Sequence, residues 1–481
     1  MLSLKKYLRM QKNPQNTHEI ECFLRGEKNL VVPFNLEYSD FKYVCTKVLR
    51  LLPFKRLSLE ANNANDHVVI KLFALHQKGI REFDKEKKGH HLASFAGISV
   101  PEILLTSEQI DGCLAIVYKY IENTIHFTLG TEDIYLDRIT HLYDFLAKTH
   151  AYGIYQDDSH LGNFLLQGSN IYLIDLGSVV CEHQGIPLSV TKSLANLSKL
   201  IVQFYSSEQD LLIQHIDLYF QARAWQPNDR EMVQFYAQID KAWNKRKKEY
   251  INKCYRNCTI TTYEYRFTHE LAFRTNFLES ISINIHEKIE QLMLMGKVLK
   301  AGNSATVVLV NIDGLDYVIK RYNIKNIVHF LRRFWRPSRA TISWKSANLL
   351  ELIGISTPRP LGFIEKRFGP FRVGVSYFIS EYEETESLLK TYSKRPPTKD
   401  ELVKVSNLFK TLKKYKISHG DFKASNLLID NQGNISLIDL DSMLEHKNNK
   451  LFLQAHDKDI KRFLRNWSDE NINNAFKKIL L

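Results

Sequence analysis

An internal repeat constrains the fold of this chain more than any other feature of its sequence. Residues 153–177 read GIYQDDSHLGNFLLQGSNIYLIDLG, and residues 417–441 read ISHGDFKASNLLIDNQGNISLIDLD. Both segments contain an Asp, an Asn five residues later (163 − 158 and 426 − 421), a short turn, and an apolar strand that ends in Ile-Asp-Leu. Self-similarity of this kind indicates a duplicated structural unit, so we expect two domains of related fold.

A similar series of segments precedes each repeat. An apolar strand carries a lysine in both, Lys71 in HVVIKLF and Lys320 in DYVIKRY. A helical stretch follows, then a loop of Gly-Ile-Ser-x-Pro type and a second apolar strand. We therefore expect one domain at residues 1–250 and the other at residues 251–481, each with a sheet before its helices.

The ordered residues of the repeat suit phosphoryl transfer, which requires positioning and charge neutralisation more than covalent chemistry. A strand lysine can hold nucleotide phosphates, a carboxylate can accept the proton of an acceptor hydroxyl, and an amide with a second carboxylate can hold Mg²⁺. A lysine beside the catalytic carboxylate can neutralise the transferring phosphoryl group. For these roles the second copy offers Lys320, Asp421, Asn426, Asp439 and Lys423. The loop of Gly302, Asn303 and Ser304 is expected to cover the phosphates with backbone N–H groups.

The first copy offers an equivalent set. Its members are Lys71 for the phosphates, Asp158 and His160 for catalysis, and Asn163 and Asp175 for the metal. Glu86 lies on the predicted helix after the lysine and is placed to pair with Lys71.

Each copy also departs from the pattern. The presumed phosphate loop of the first copy, LSLEANNANDHVVIK, contains no glycine, and Gln156-Asp157 stands where the second copy has His419-Gly420. In the second copy Ser343 occupies the place of Glu86, since both stand eleven residues before a glycine (354 − 343 and 97 − 86). Glycine-poor loops and missing ion pairs are typical of kinases that have lost catalysis, so the activity of each copy stays open.

With these motifs the sequence resembles the lipopolysaccharide core kinases, which phosphorylate 3-deoxy-manno-octulosonic acid (Kdo) or heptose. In the second half the resemblance rests on RFWRPSRATISWKSANLLELIGISTPRPLGFIE, VIKRYN, SHGDFKASNLLI, LIDLDSM and DIKRFLRNW. In the first half it rests on VLRLLPFKRLSL, VVIKLF, GISVPEIL, DDSHLGNFLL and YLIDLGSV. Roughly residues 1–40 and 225–295 lie outside it.

The resemblance implies an α+β chain of two protein-kinase-like bilobal domains in tandem, each with a small β-rich lobe and a helical lobe. It implies an ATP- and Mg²⁺-dependent kinase whose acceptor is a sugar of the lipopolysaccharide core or a sugar linked to lipid A. Asp441, which stands where a protein kinase has the glycine of its DFG motif, argues against a protein kinase with a conventional activation segment.

The net charge of +13 predicts an anionic partner. Residues 326–345 place basic side chains among apolar ones and suit an anionic inner-membrane surface, or simply a solvated face. Its basic members are Arg332, Arg333, Arg336, Arg339 and Lys345. No nucleic-acid module accompanies them, so nucleic acid is not expected. Without a signal-peptide run, an apolar span or a CxxC pair, we expect a cytoplasmic protein. The family resemblance implies in addition a peripheral position on the cytoplasmic face of the inner membrane.

Four interpretations follow from these observations. The first is a bifunctional sugar kinase with two active sites, and the second is one active module with a catalytically weak partner module. The third is a non-catalytic binding protein that uses both modules as scaffolds. The fourth is a small-molecule kinase like the aminoglycoside phosphotransferases, which share the HGD…N pattern of residues 419–426.

Overall fold

The computed structural model describes residues 31–38, 41–107, 113–323 and 337–481. The chain is of mixed α+β class and divides into two compact units, Met1–Trp243 and Asn244–Leu481. We call them unit 1 and unit 2. The predicted boundary near residue 250 lies within a helix, Asp229–Lys253, that crosses this division.

Unit 1 begins with an antiparallel sheet of six strands in the order β1-β2-β3-β4-β6-β5. The strands are β1 (Phe34–Tyr38), β2 (Phe41–Leu52), β3 (Arg56–Asn62), β4 (His67–Ala74), β5 (Ile103–Ser107) and β6 (Cys113–Lys119), and helix α1 (Gln77–Phe95) connects β4 to β5. Val68, Ile70 and Leu72 of β4 are buried in the core of the sheet. Because side chains alternate along a strand, Lys71 lies on the opposite face.

The rest of unit 1 is mainly helical. It contains β7 (Ile125–His126), α2 (Tyr135–Ala151), β8 (Ile154–Gln156), β9 (Phe164–Gln167), β10 (Asn170–Leu173), β11 (Val179–Cys181), α3 (Val190–Ile201), α4 (Ser206–Gln214), α5 (Asp217–Ala222) and the first part of α6 (Asp229–Lys253). Tyr143, Leu197 and Tyr219 belong to the buried core of this part. Its short strands pair as β8 with β11 and as β10, β9 and β7 in a second sheet.

One expectation for unit 1 is wrong. The residues of LSLEANNANDHVVIK lie in β3, in β4 and in the turn between them. The register pairs Ser58 with Lys71 and Arg56 with Phe73. Residues 53–55, which connect β2 to β3, therefore lie at the end of the sheet toward which β4 runs after Lys71. This turn corresponds in strand order to the β14–β15 loop of unit 2, and it also contains no glycine.

Unit 2 carries a seven-stranded sheet in the order β12-β13-β17-β18-β16-β15-β14. The elements are β12 (Thr261–Tyr265), β13 (His269–Arg274), α7 (Thr275–Ser280), α8 (Ile285–Met295), β14 (Lys297–Ala301), β15 (Ala305–Ile312), β16 (Leu315–Tyr322), α9 (Arg339–Ile353), β17 (Pro360–Phe368) and β18 (Phe371–Glu381). The five strands β14-β15-β16-β18-β17 follow the same order and connections as β2-β3-β4-β6-β5 of unit 1.

The remainder of unit 2 packs helices around a short-stranded loop region. Its elements are β19 (Glu386–Ser387), α10 (Leu388–Tyr392), α11 (Lys399–Lys414), β20 (Ile417–Ser418), β21 (Leu427–Ile429), β22 (Ile435–Leu437), β23 (Leu444–Glu445), α12 (Asn449–Leu464) and α13 (Glu470–Leu480). Thr398 and Glu401 form a capping box that starts α11, because each side chain accepts a backbone N–H of the other. Phe409, Phe422 and Phe463 lie in contact with one another in the core.

The predicted basic segment of residues 326–345 is only partly described. Arg332, Arg333 and Arg336 lie outside the described residues, whereas Arg339 and Lys345 lie on α9. Among the residues that the structure describes, no helix combines the length and the apolar character needed to cross a membrane.

Candidate active site

The repeat motif of unit 2 folds into two strand pairs, β20 with β23 and β21 with β22. This pairing brings the turn after β20, with Asp421 and Asn426, close to Asp439 at the end of β22. The Asn426 side-chain amide donates to the backbone carbonyl of Asp421 at 2.9 Å. Asp439 has a left-handed backbone (φ 64°, ψ 51°), which is uncommon for a residue other than glycine. Such backbone strain concentrates at functional sites.

A cleft of about 530 Å³ lies between this motif and the sheet of unit 2. Gly302 and Ser304 line it from the loop between β14 and β15, Lys320 from β16, and Asn426 and Asp439 from the repeat motif. The volume is in the usual range for small-ligand sites, about 300–1,000 Å³. The Gly302 N–H donates to the Ala305 carbonyl at 3.1 Å, so it closes a turn.

Lys320 lies between two carboxylates. Its ammonium group donates to Asp439 and lies 3.3 Å from Asp441 Oδ2. Arg339 binds the same oxygen of Asp441 at 2.7 Å. Burial alone would lower the pKa of Lys320, but Tyr322, Asp441 and Asp439 together outweigh it and raise this pKa above its ordinary value. The lysine is therefore held in its charged form.

The carboxylate that holds the strand lysine comes from a different element in each unit. In unit 1 Glu86 of α1 binds Lys71, and the Gly177 N–H donates to Glu86 at 2.9 Å. In unit 2 Ser343 of α9 lies 2.8 Å from the Tyr322 hydroxyl. Asp441, which follows Asp439 by two residues as Gly177 follows Asp175, holds the lysine instead. The carboxylate that holds the strand lysine therefore comes from a helix in unit 1 and from the loop after Asp439 in unit 2.

Asp421 contacts two cations. Lys423 Nζ lies 3.0 Å from Asp421 Oδ2, and Arg462 of α12 binds the other carboxylate oxygen. Arg462 belongs to the DIKRFLRNW segment, which carried part of the family resemblance, but sequence reasoning assigned no role to it. A basic residue in that segment was the available signal.

Two buried residues support the loop that carries Asp421. Asp459 of α12 accepts the backbone N–H groups of His419 at 2.7 Å and Gly420 at 3.0 Å. His419 is buried, which lowers its pKa and keeps the ring neutral. Its Nε2–H donates to the carbonyl of Ile438 at 2.9 Å, so the ring ties this loop to the residue before Asp439.

Unit 1 repeats several hydrogen bonds of this framework, with Gln156 in the place of His419. The Asn163 side chain donates to the Asp158 carbonyl at 2.9 Å, and Asp175 also has a left-handed backbone (φ 57°, ψ 59°). The Gln156 side chain donates to the Ile174 carbonyl at 3.3 Å, as His419 does to Ile438. Gln156 therefore retains the structural bond of the histidine that it replaces.

The two predicted catalytic residues of unit 1 lie at the surface. Asp158 and His160 are exposed, and His160 Nδ1 accepts the backbone N–H of Gly162 at 3.0 Å. The ring caps the turn that leads to Asn163.

Asp175 of unit 1 lies among three cations. Arg56 Nη1 lies 2.9 Å from Asp175, Arg50 Nη1 lies 3.4 Å away and Lys71 Nζ 3.9 Å away. Arg56 also reaches Glu86 at 3.5 Å, and its side chain is only 5% exposed. Burial would raise the pKa of Asp175, but these cations outweigh it and lower the pKa below its ordinary value. Sequence reasoning missed both arginines.

Comparison with known families separates the two units. Residues 300–478 match the Lipopolysaccharide kinase (Kdo/WaaP) family. The match begins in β14 and ends in α13, so it includes the cleft of unit 2 and none of unit 1. A kinase family of this kind implies use of ATP. The comparison with curated proteins finds no match for this chain.

The fit of a magnesium ion also differs between the units. Asn426 and Asp439 present amide and carboxylate oxygens to an open cleft, as Mg²⁺ prefers. Within the described ranges no group of three or more His, Cys, Asp or Glu side chains can hold a metal. An ion in unit 2 would therefore share its coordination with nucleotide phosphates. In unit 1 the buried guanidinium of Arg56 lies against Asp175, so these residues do not fit an ion there.

A buried network supports the loop of unit 1. His150 Nε2–H donates to Asn196 Oδ1 at 3.0 Å and Nδ1 accepts the Tyr219 hydroxyl at 2.8 Å, which requires a neutral ring. The Asn196 amide in turn donates to the Gln156 carbonyl at 2.8 Å. Complete burial lowers the pKa of His150 to about 4.

This histidine predicts a loss of stability in acid. The unfolded chain binds a proton at His150 near pH 6.5, whereas the folded chain does so only near pH 4. The free energy of unfolding should therefore fall as the pH is lowered, by about 2 kcal/mol from pH 7 to 5 for this group. Denaturant unfolding should show a shallower pH dependence in His150→Gln, which keeps a donor and an acceptor but does not titrate. An unchanged slope would contradict the assignment.

Proposed function

We propose that this chain is an ATP- and Mg²⁺-dependent phosphotransferase that phosphorylates a sugar hydroxyl, of Kdo or heptose, in the lipopolysaccharide inner core. We place the active site in unit 2. The observation that carries this proposal is the meeting of Lys320, Asn426 and Asp439 in one cleft, beside Asp421, within the residues that match the Lipopolysaccharide kinase family.

In the proposed site the nucleotide phosphates lie between the β14–β15 loop and Lys320. Ser304 lines the cleft from this loop, and Asn303 lies between it and Gly302. Asn426 and Asp439 would hold the metal. When bound, magnesium would supply positive charge that neutralises the nucleotide phosphates. Arg339 holds Asp441, and Asp441 in turn holds the lysine, so this side chain is positioned in the cleft before the nucleotide binds.

Transfer then depends on Asp421. Its carboxylate accepts the proton of the sugar hydroxyl as the oxygen bonds to the γ-phosphorus, and the bond from that phosphorus to the β,γ-bridging oxygen breaks to release ADP. Lys423 lies beside Asp421 and is placed to neutralise the transferring group. Asp459 and His419 hold the backbone of this loop in position.

We further propose that both units are protein-kinase-like domains, each with a sheet lobe and a helical lobe. The support is the shared five-strand order, the shared hydrogen bond from Asn163 or Asn426, and the left-handed Asp175 and Asp439. The acceptor would be lipid-linked, and the net charge of +13 suits an anionic inner-membrane surface.

The test is ATP-dependent transfer of labelled phosphate by the full chain to Kdo₂–lipid A and to a heptosylated acceptor in detergent. Phosphorylated acceptor should form only with Mg²⁺ and should be lost in Asp439→Asn. ATP hydrolysis without transfer to any core acceptor would contradict the lipopolysaccharide assignment. Transfer to a soluble aminoglycoside instead would favour a small-molecule kinase.

A further inference from the structure

We infer that Arg56 takes the place of the metal ion in unit 1, so that unit 1 binds no magnesium–nucleotide and is the catalytically silent partner of unit 2. The inference rests on the proposed function for unit 2. In this view the site of unit 1 holds no metal ion, because the charge of Arg56 neutralises its carboxylates.

The strand registers show which residue of unit 2 occupies the position of Arg56. Ser58 pairs with Lys71 across β3 and β4, and Val307 pairs with Lys320 across β15 and β16. Residues two positions apart on a strand face the same side. Arg56 therefore lies on the lysine face of unit 1. Counting two residues back from Val307 gives Ala305, which lines the cleft of unit 2.

The neighbouring position does not distinguish the units. Arg50 of β2 pairs with Ser58, and Lys300 of β14 pairs with Val307. Both units therefore carry a cation in that row of the sheet. The arginine-for-alanine difference at the next cleft-facing position is the feature specific to unit 1.

The surroundings of Arg56 show that it is built into unit 1. Its side chain is 5% exposed and lies between Glu86 and Asp175, at 3.5 and 2.9 Å. Burying a charge is costly unless it is paired, and here two carboxylates pair with it. Without Arg56, only Lys71 would remain between the two carboxylates, since Arg50 contacts Asp175 alone. A metal ion at Asp175 would have to displace this guanidinium and would meet Lys71 and Arg50 as well.

The first test counts nucleotides on the full-length chain. Isothermal titration with Mg²⁺ and a non-hydrolysable ATP analogue should give one site in the wild type and none in Asp439→Asn. Two sites in the wild type, or magnesium-dependent binding that survives in Asp439→Asn, would overturn the inference. No binding to the wild type would contradict the proposed function, while agreeing with a silent unit 1.

The second test exchanges the distinguishing residue. Ala305→Arg should place a guanidinium against Asp439 and weaken nucleotide binding about tenfold or more, whereas the uncharged Ala305→Gln should weaken it less. Unchanged affinity in Ala305→Arg would overturn the inference.

The converse variant tests unit 1 directly. In the Asp439→Asn background, millimolar Mg²⁺ should raise the unfolding midpoint of Arg56→Ala and not that of its parent, because a divalent ion can then replace the guanidinium. The inference would be overturned if Mg²⁺ did not raise the unfolding midpoint of the Arg56→Ala variant, or raised that of Asp439→Asn alone by the same amount. If Arg56→Ala does not fold, Ala305→Arg still decides the question.

Discussion

Asp421→Asn should lower the turnover number for phosphate transfer by about 10²–10⁴, the usual effect of removing a general base. The amide cannot accept the hydroxyl proton, whereas Lys423, Arg462 and the loop backbone stay in place. The binding of Mg²⁺–ATP should change little, since Asp421 lies beside the metal ligands and is not one of them in the proposed site. Single-turnover transfer to the lipid-linked acceptor, with a parallel nucleotide titration, measures both quantities.

The control for this variant is Asp457→Asn. Asp457 lies on the exposed face of α12 and pairs with Lys461, so its loss removes a similar charge and should leave transfer unchanged. The opposite result is equally informative. If Asp421→Asn transferred phosphate at the wild-type rate while Asp158→Asn did not, catalysis would belong to unit 1, and the inference about Arg56 would fall with it.

Much of the unit 2 site was predictable because it is local. Asp421, Asn426 and Asp439 occupy one short stretch, and its turn chemistry and apolar strand fix their separation without reference to the rest of the fold. Lys320 followed from the same reasoning, since a lysine within an apolar strand before a helix has few alternative roles once the motif is known. The pairing of Glu86 with Lys71 depended only on a strand and the helix after it.

The arginines that the sequence did not predict, Arg56 and Arg462, reach the site through contacts between separate parts of the chain. Arg56 meets Asp175 only because β3 pairs with β4 in one particular register, and a shift of one residue would turn its side chain to the other face. Arg462 reaches Asp421 from a helix near the end of the chain. The turn of residues 53–55 in unit 1 was missed as well, although Pro53 directly after β2 is a turn signal in the sequence.

The last prediction concerns Asp441, the carboxylate that replaces the helical glutamate in unit 2. In Asp441→Asn the ammonium of Lys320 loses one of its two carboxylates and should turn fully to Asp439, where it competes with the metal ion. We expect kcat/KM for ATP to fall about 10²-fold, as for a misplaced catalytic group, with a higher Mg²⁺ requirement. Rates measured over a matrix of ATP and Mg²⁺ concentrations separate this effect from a loss of folded protein.

If either the helix or the loop can supply the carboxylate that holds Lys320, an acid at Ser343 of α9 should replace Asp441. Ser343→Glu combined with Asp441→Gly reproduces the arrangement of Glu86 and Gly177, in which the glycine leaves room for the glutamate and donates its N–H to it. The double variant should therefore be more active than Asp441→Gly alone. An Asp441→Gly enzyme with wild-type kinetics would show that Lys320 needs no second carboxylate. A double variant no better than Asp441→Gly would show that Asp441 acts through Arg339 as much as through the lysine, because the helical glutamate restores only the contact to Lys320.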